Sequence, residues 1–157
     1  MPEMSAGDDL ILKNRLSRLR LEELVQGISD SELNLLVFPG WSVAVVLGHL
    51  AVWDFRALEL LRRWKVEGVS ASPVDMENFN LSLLPVLQAL PARSAAELAL
   101  EAAQAVDHEL ESASTELISS LRELEGKFRL DRSLHRDQHI RQIEAALGRQ
   151  ACPGEKN

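Results

Sequence analysis

The chain has 157 residues, a formal net charge of −7, 46 % apolar residues and 4 % aromatics, with no tyrosine. That length fits one domain burying roughly 68–70 % of its unfolded surface, and the wealth of Leu and Ala with few β-branched or aromatic runs favours helix over sheet. The acidic balance excludes nucleic acid as a partner, which would need a Lys/Arg surplus on one face, and no run approaches the ~20 apolar residues that cross a bilayer.

The first helix is expected from Asp8 or Asp9, whose charge suits the positive helix end, to about Gln26 before Gly27. Leu12, Leu16 and Leu19, then Leu21, Leu24, Val25 and Ile28, recur at helical spacing. Arg15, Arg18 and Arg20 read as a solvated face, because Glu22 and Glu23 follow at once. Ser29–Leu33 starts a short helical turn, and Phe38-Pro39-Gly40 breaks the chain. A second helix opens at the Ser42 N-cap and runs to about Glu67, where Gly68 stops it. Val43, Leu47, Leu50, Ala57 and Leu61 form its buried stripe, flanked by Val46, His49, Trp53, Leu60 and Trp64, a width that fits contact with two neighbours. Pro73, Pro85 and Pro91 bracket a short extra helix around Asp75–Leu84. A third long helix is expected from a Ser94–Glu97 capping box to about Glu125 and Gly126, with Ala99, Ala103, Val106, Leu110, Ala113, Leu117 and Leu124 as its seam. A fourth starts near Asp131 or Ser133 and ends near Leu147–Gly148. The pattern is an all-α four-helix bundle with a short extra helix between helices 2 and 3. It forms a single domain over 1–157, with a core from about 8 to 150 and a polar tail at 151–157. Cys152 in that tail has no partner for an intramolecular disulfide, and the acidic Met1–Asp9 segment, with no apolar run after it, does not read as a signal peptide. A cytoplasmic protein is expected.

Periodicity separates the four histidines. His108 lies about 200° from Val106 at 100° per residue, so it faces solvent if Val106 faces the core. His135 and His139, spaced i, i+4, share a face with Gln142, Ile143 and Ala146, whose apolar members point it inward. Neutral imidazoles at that spacing can grip one divalent ion, although a surface pair or hydrogen-bonded core histidines give the same pattern. His49, on the flank of the second helix with almost no other polar inward group, supplies a third imidazole if helices 2 and 4 are neighbours. Three His ligands leave a position open for water or substrate, and imidazole suits Zn, Ni and Fe alike.

Trp41-Ser42-Val43 leading into Gly48-His49-Leu50-Ala51-Val52-Trp53-Asp54, then Asp75 with Asn78-Phe79-Asn80, and finally His135-Arg136-Asp137-Gln138-His139-Ile140, resemble the DinB-like (DinB/YfiT) superfamily over roughly Leu10–Leu147. Within it, the Trp-Ser start and the Phe-Asn segment are most similar to the colibactin self-resistance (ClbS/DfsB-like) branch. The metal-binding domain of mycothiol-dependent maleylpyruvate isomerase is a further relative. The resemblance implies a four-helix bundle with helix 2 packed on helix 4, often a homodimer, and a metal-binding triad that falls on His49, His135 and His139.

Around that triad, Trp53 and Trp41 could wall a pocket or be core aromatics, and Asp54 or Asp137 could orient a ligand histidine or be surface charges. Arg56, one turn beyond Trp53, could bind an anionic group of a substrate. Asn78 and Asn80 lie where a loop could cover the pocket, and Gln142 shares the histidine face. Trp53, Arg56, Asn80 and Gln142 are thus the candidate substrate contacts.

Three functions compete. The first is a metal-dependent enzyme on a small electrophilic molecule, either a transferase of a low-molecular-weight thiol or a detoxifying hydrolase. The second is a non-catalytic dimeric small-molecule-binding or stress-response bundle. The third is a purely structural bundle. No general base can be assigned, and the scarcity of inward Asp or Glu favours thiol transfer over hydrolysis.

Overall fold

The cap at Ser42 and the stop at Gly68 bound the longest helix of the computed structural model, which describes residues 6–124 and 130–148. In chain order, α1 (Ala6–Gly27) is followed by a 3-10 turn (Glu32–Asn34) and an antiparallel hairpin of β1 (Leu36–Phe38) and β2 (Trp41–Ser42). Then come α2 (Val43–Glu67), α3 (Met76–Ala89), α4 (Ala92–Glu111), α5 (Thr115–Glu123) and α6 (Arg132–Ala146). The fold is mainly helical, and α2 packs against α4, α3 and α6 while α1 packs against α4 and α6. Among the described residues no helix is long and apolar enough to cross a membrane.

The Ser42 hydroxyl accepts from the Val45 amide, satisfying one orphan donor of the first turn, and Gly68 supplies the φ of 84° that ends α2. Asp131 plays the same capping role for α6 through the Ser133 amide, and Asp75 for α3 through the Asn78 amide. The predicted inner stripe of α2 is buried throughout, as is its flanking line apart from half-buried Trp53.

Several expectations are corrected. The Phe38-Pro39-Gly40 break is the turn of a small two-stranded hairpin, with Gly40 at φ 79°, in a fold that is otherwise all-α as expected. The extra helix α3 continues to Ala89 with Pro85 inside it rather than ending at Leu84. The third long helix is two: α4 stops at Glu111, and Ser114 caps α5 through the Leu117 amide. A competing cap in mid-pattern therefore overrides the heptad seam, though Val106, Leu110, Leu117 and Leu121 still bury together across the break. The end expected at Glu125–Gly126 lies outside the described residues, as do Cys152 and the tail 151–157. The Ser94–Glu97 capping box is absent, because Pro91 occupies the N-cap and α4 begins two residues before Ser94. A reciprocal Ser–Glu cap forms instead at the 3-10 turn: the Ser29 amide donates to Glu32, and the Glu32 amide to the Ser29 hydroxyl.

The larger surprise lies in two helix faces. Leu12, Leu16 and Leu19 are exposed on α1, whereas Asn14 and Ser17 are buried in line with Leu21, Leu24, Val25 and Ile28. On α6 the deepest line is Arg132, Ser133, Arg136, Ile140 and Ile143, and the face of His135, His139 and Gln142 is its half-buried flank. Nor is α2 free of inward charge, since Asp54 is buried.

These buried polar groups form a layer between two apolar clusters. Val43–Leu50 of α2 packs with the C-terminal half of α1, Ala95–Ala103 and Ile140/Ile143. Ala57–Trp64 packs with Val106, Leu110, Leu117, Leu121 and Leu130. Between them, Asp54 accepts from Arg132 Nε at 2.7 Å and from Arg136 Nε at 2.9 Å. Arg136 also donates to Asp107 and to the backbone oxygens of Asn14 and Ala103, so a guanidinium with no exposed surface is fully paired. Asp107 in turn accepts from Arg18, which corrects its reading as part of a solvated face. Asn14 bonds the Leu130 carbonyl and the Ser133 amide, pinning the start of α6 to α1. The polar layer thus fixes the register of α6 against α2, and with it the histidines each helix carries.

Candidate metal centre

The register places His135 and His139 of α6 opposite His49 of α2. The ring centroids of His49 lie 5.1 Å from His135 and 5.0 Å from His139, and those two are 4.8 Å apart. One ligand nitrogen from each ring falls within 4.8 Å of the others. The Nε2 atoms of His49 and His135 approach to 3.1 Å, close to the ~3.3 Å separating two nitrogens on a tetrahedral ion with bonds of about 2.05 Å. The described residues place no carboxylate in this cluster. His108 is exposed and takes no part.

Burial prepares the rings as ligands. His49 is 5 % exposed, and desolvation, helped by His139 and by the positive charge of Arg132, pushes its pKa down to about 4. Desolvation also lowers the pKa of His139, against the opposing effect of its bond to Gln142. Both are therefore neutral at pH 7, with lone pairs available without loss of a proton.

The outer nitrogens differ. Gln142 Oε1 can only accept, so His139 Nδ1 carries the hydrogen across their 2.7 Å contact and Nε2 keeps its lone pair, as a metal ligand requires. His49 Nδ1 is buried without a hydrogen-bond partner. His135 Nδ1 faces a nitrogen of Arg132, a donor, at 3.4 Å, the outer limit of a hydrogen bond. His139 thus has the usual acceptor behind its outer nitrogen. Gln142→Leu is expected to weaken divalent-metal affinity roughly 10–100-fold, measured by competition with a chromophoric chelator. An unchanged affinity would mean that Gln142 orients nothing.

Aromatic rings wall the cluster. Trp41 meets His49 edge-on at 5.4 Å, and Trp53 lies 6.3 Å from His49 and 6.5 Å from His135. The indole N–H of Trp53 donates to Asn80 Oδ1 at 3.0 Å, and Phe79 packs against the same ring at 5.3 Å, so α3 covers the Trp53 side of the site. Gly48 permits that approach: a Cβ there would meet Leu87 Cδ2 at 3.0 Å. Arg56 lies over the Trp53 ring, with its guanidinium carbon 5.7 Å from the centroid, and donates to the Ser72 carbonyl at 2.8 Å. Of the four candidate substrate contacts, Gln142 bonds His139 and Trp53 faces His49 and His135, whereas Arg56 and Asn80 meet the cluster through Trp53. Asn78 caps α3 with its backbone amide.

Neither Asp54 nor Asp137 holds a ligand histidine: Asp54 is taken by Arg132 and Arg136, and Asp137 by Arg20. Arg132, Arg136 and Asp107 went unnoticed in the sequence. A signal was available, because Arg132/Arg136 is a second i, i+4 pair, offset from His135/His139 and in line with Ile140 and Ile143.

No curated protein and no solved structure matches the chain significantly. The family model of the DinB superfamily, whose members often bind metal, matches residues 14–147. With that match spanning most of the chain and a three-histidine cluster able to hold a metal ion, the chain belongs to the DinB superfamily.

Proposed function

We propose that the chain is a metal-dependent enzyme acting on a small electrophilic molecule, with His49, His135 and His139 as ligands of a divalent ion such as Zn, Ni or Fe. The convergence of three imidazoles, two of them (His49 and His139) disfavoured by burial from taking up a proton, with no carboxylate among the described residues of the cluster, carries this reading. A bound ion would lower the pKa of a coordinated thiol or water towards neutrality, supplying thiolate or hydroxide. The chain's own part is to exclude water with Trp41, Trp53 and Phe79 and to orient His139 through Gln142. Asp54, although inward, is held by two arginines and is not placed to act as a base. This favours transfer of a low-molecular-weight thiol over hydrolysis, and the Trp41-Ser42 start and Phe79-Asn80 segment support kinship to the ClbS/DfsB-like branch, with the metal-binding domain of maleylpyruvate isomerase as a further relative. In this reading α1, α2, α4 and α6 are the four-helix bundle of one cytoplasmic domain spanning 1–157.

A homodimer belongs to the same proposal, because Leu12, Leu16 and Leu19 form an exposed stripe on α1 at i, i+4, i+7 that a second copy would cover. Sedimentation velocity should then give a dimer that Leu16→Glu converts to monomer, and a monomeric wild type ends that part of the reading. A dimeric, non-catalytic stress-response or ligand-binding bundle would share the same surface.

Metal content tests the central claim. About one ion per chain is expected in protein purified without chelator, lost in His49→Ala, His135→Ala and His139→Ala and kept in His108→Ala. Wild type that takes up no zinc, nickel or iron would leave the non-catalytic reading.

A further inference from the structure

Arg56 stands apart from the other arginines. Among the described residues, each half-buried or buried arginine except Arg56 has a carboxylate within 4 Å: Arg18 and Arg136 meet Asp107, Arg93 meets Asp30, and Arg132 meets Asp54. Arg56, also half-buried, has only the carbonyl and hydroxyl of Ser72 as hydrogen-bond partners, both reached from the same terminal nitrogen. A guanidinium carries five N–H donors in a planar fork that matches an oxyanion, so most of its donor capacity is not spent on Ser72. Its surroundings add positive charge: burial, then repulsion from Arg132 and Arg63, disfavours its charged form. Half-buried and without a carboxylate partner in a chain of net charge −7, where carboxylates are abundant, this guanidinium is left open to an anionic ligand. Its position says which ligand, for the guanidinium lies over Trp53, the ring that walls His49 and His135.

We infer that Arg56, stacked on Trp53 and anchored by Ser72, is the anion-recognising subsite of the histidine centre, and that the molecule bound there carries a carboxylate, sulfonate or phosphate group one indole's breadth from its reacting atom. The inference rests on the histidine cluster being the reaction centre. The guanidinium carbon lies 5.7 Å from the Trp53 ring centroid, Asn80 holds the indole through its N–H, and Ser72 holds one terminal nitrogen of the fork. Lysine would keep the charge but lose the planar fork and its stacking on the ring. Arg132 adds positive potential but already has a carboxylate partner in Asp54, which Arg56 lacks.

Tryptophan fluorescence of the full chain, metal-free and zinc-loaded, titrated with malonate and with inorganic phosphate at constant ionic strength, tests this. Saturable binding of at least one of these anions is expected, weakened about tenfold or more in Arg56→Gln, less in Arg56→Lys, and unchanged in Arg122→Gln, an exposed arginine. Circular dichroism checks that Arg56→Gln is folded. Equal affinity in wild type and Arg56→Gln, or no saturable binding of either anion, overturns the proposal. The metal-free arm separates the two readings: anion binding that needs Arg56 in a chain that takes up no metal keeps the subsite and removes the metalloenzyme. Zinc uptake with no Arg56-dependent anion binding does the reverse.

Discussion

Asp54→Ala is expected to lower the free energy of unfolding by about 3–5 kcal/mol, the usual cost of removing one partner from a buried charge network. Asp54 is 1 % exposed and gives one oxygen to each of two buried guanidiniums. Alanine there leaves Arg132 only its long contact with His135, while Arg136 keeps Asp107 and two backbone carbonyls. Those surviving bonds place the cost towards the lower end of that range. Asn is expected to fall between, because its carbonyl still accepts from one arginine while its NH2 opposes the donor of the other. For a domain of this size the alanine variant should melt roughly 6–20 °C lower. Urea denaturation of metal-free wild type, Asp54→Ala and Asp54→Asn measures it. A loss below about 1 kcal/mol in Asp54→Ala would show that the polar layer is no better than solvated charge.

The same layer explains which parts of the fold and site are legible in the sequence. The triad was readable because it rests on spacing alone: two histidines at i, i+4 and one histidine on the flank of an apolar stripe. Two caps were readable for a similar reason, since Ser42 and Asp131 satisfy donors three and two residues away, whereas Ser94 and Glu97 match the same local pattern without capping α4. What failed was the rule that leucine points in and arginine points out. Leu12, Leu16 and Leu19 lie outward because Ser17 is turned inward to Arg136 and Asn14 to the Leu130 carbonyl and Ser133 amide, and nothing local to α1 announces partners more than a hundred residues downstream. The α4–α5 break had a local cause, Ser114, but the apolar seam runs on across it and masked the cap. The surroundings of Arg56 were out of reach, because an unmatched charge is defined by partners the sequence cannot place. Hydrophobic periodicity therefore recovers the buried stripe of α2 and the place of most helices, while merging α4 with α5. It mistakes the facing wherever charge is buried, and that is the layer that sets the register of the metal centre.

The histidines give stability a pH dependence that the polar layer alone would not. In metal-free protein His49 has a pKa near 4, against 6.5 for an unperturbed imidazole. Above pH 6.5 neither folded nor unfolded His49 binds a proton, and the folded state has its full stability. Between pH 6.5 and 4 the unfolded chain takes up a proton that the folded chain refuses, so stability falls as the pH falls, and below 4 this contribution levels off. The full difference is on the order of 3 kcal/mol. His139, shifted in the same direction by burial, adds to the loss. Urea denaturation of chelator-treated protein from pH 7.5 to 4.5 should therefore show a decline that is clearly shallower in His49→Gln and unchanged in His108→Gln, whose imidazole is exposed. Saturating zinc should still raise stability towards pH 5, because folded His49, with a pKa near 4, does not give up its lone pair to a proton there. A wild-type slope equal to that of His49→Gln would place His49 in contact with water, and the neutral ligand set inferred for the metal centre would then have to be abandoned.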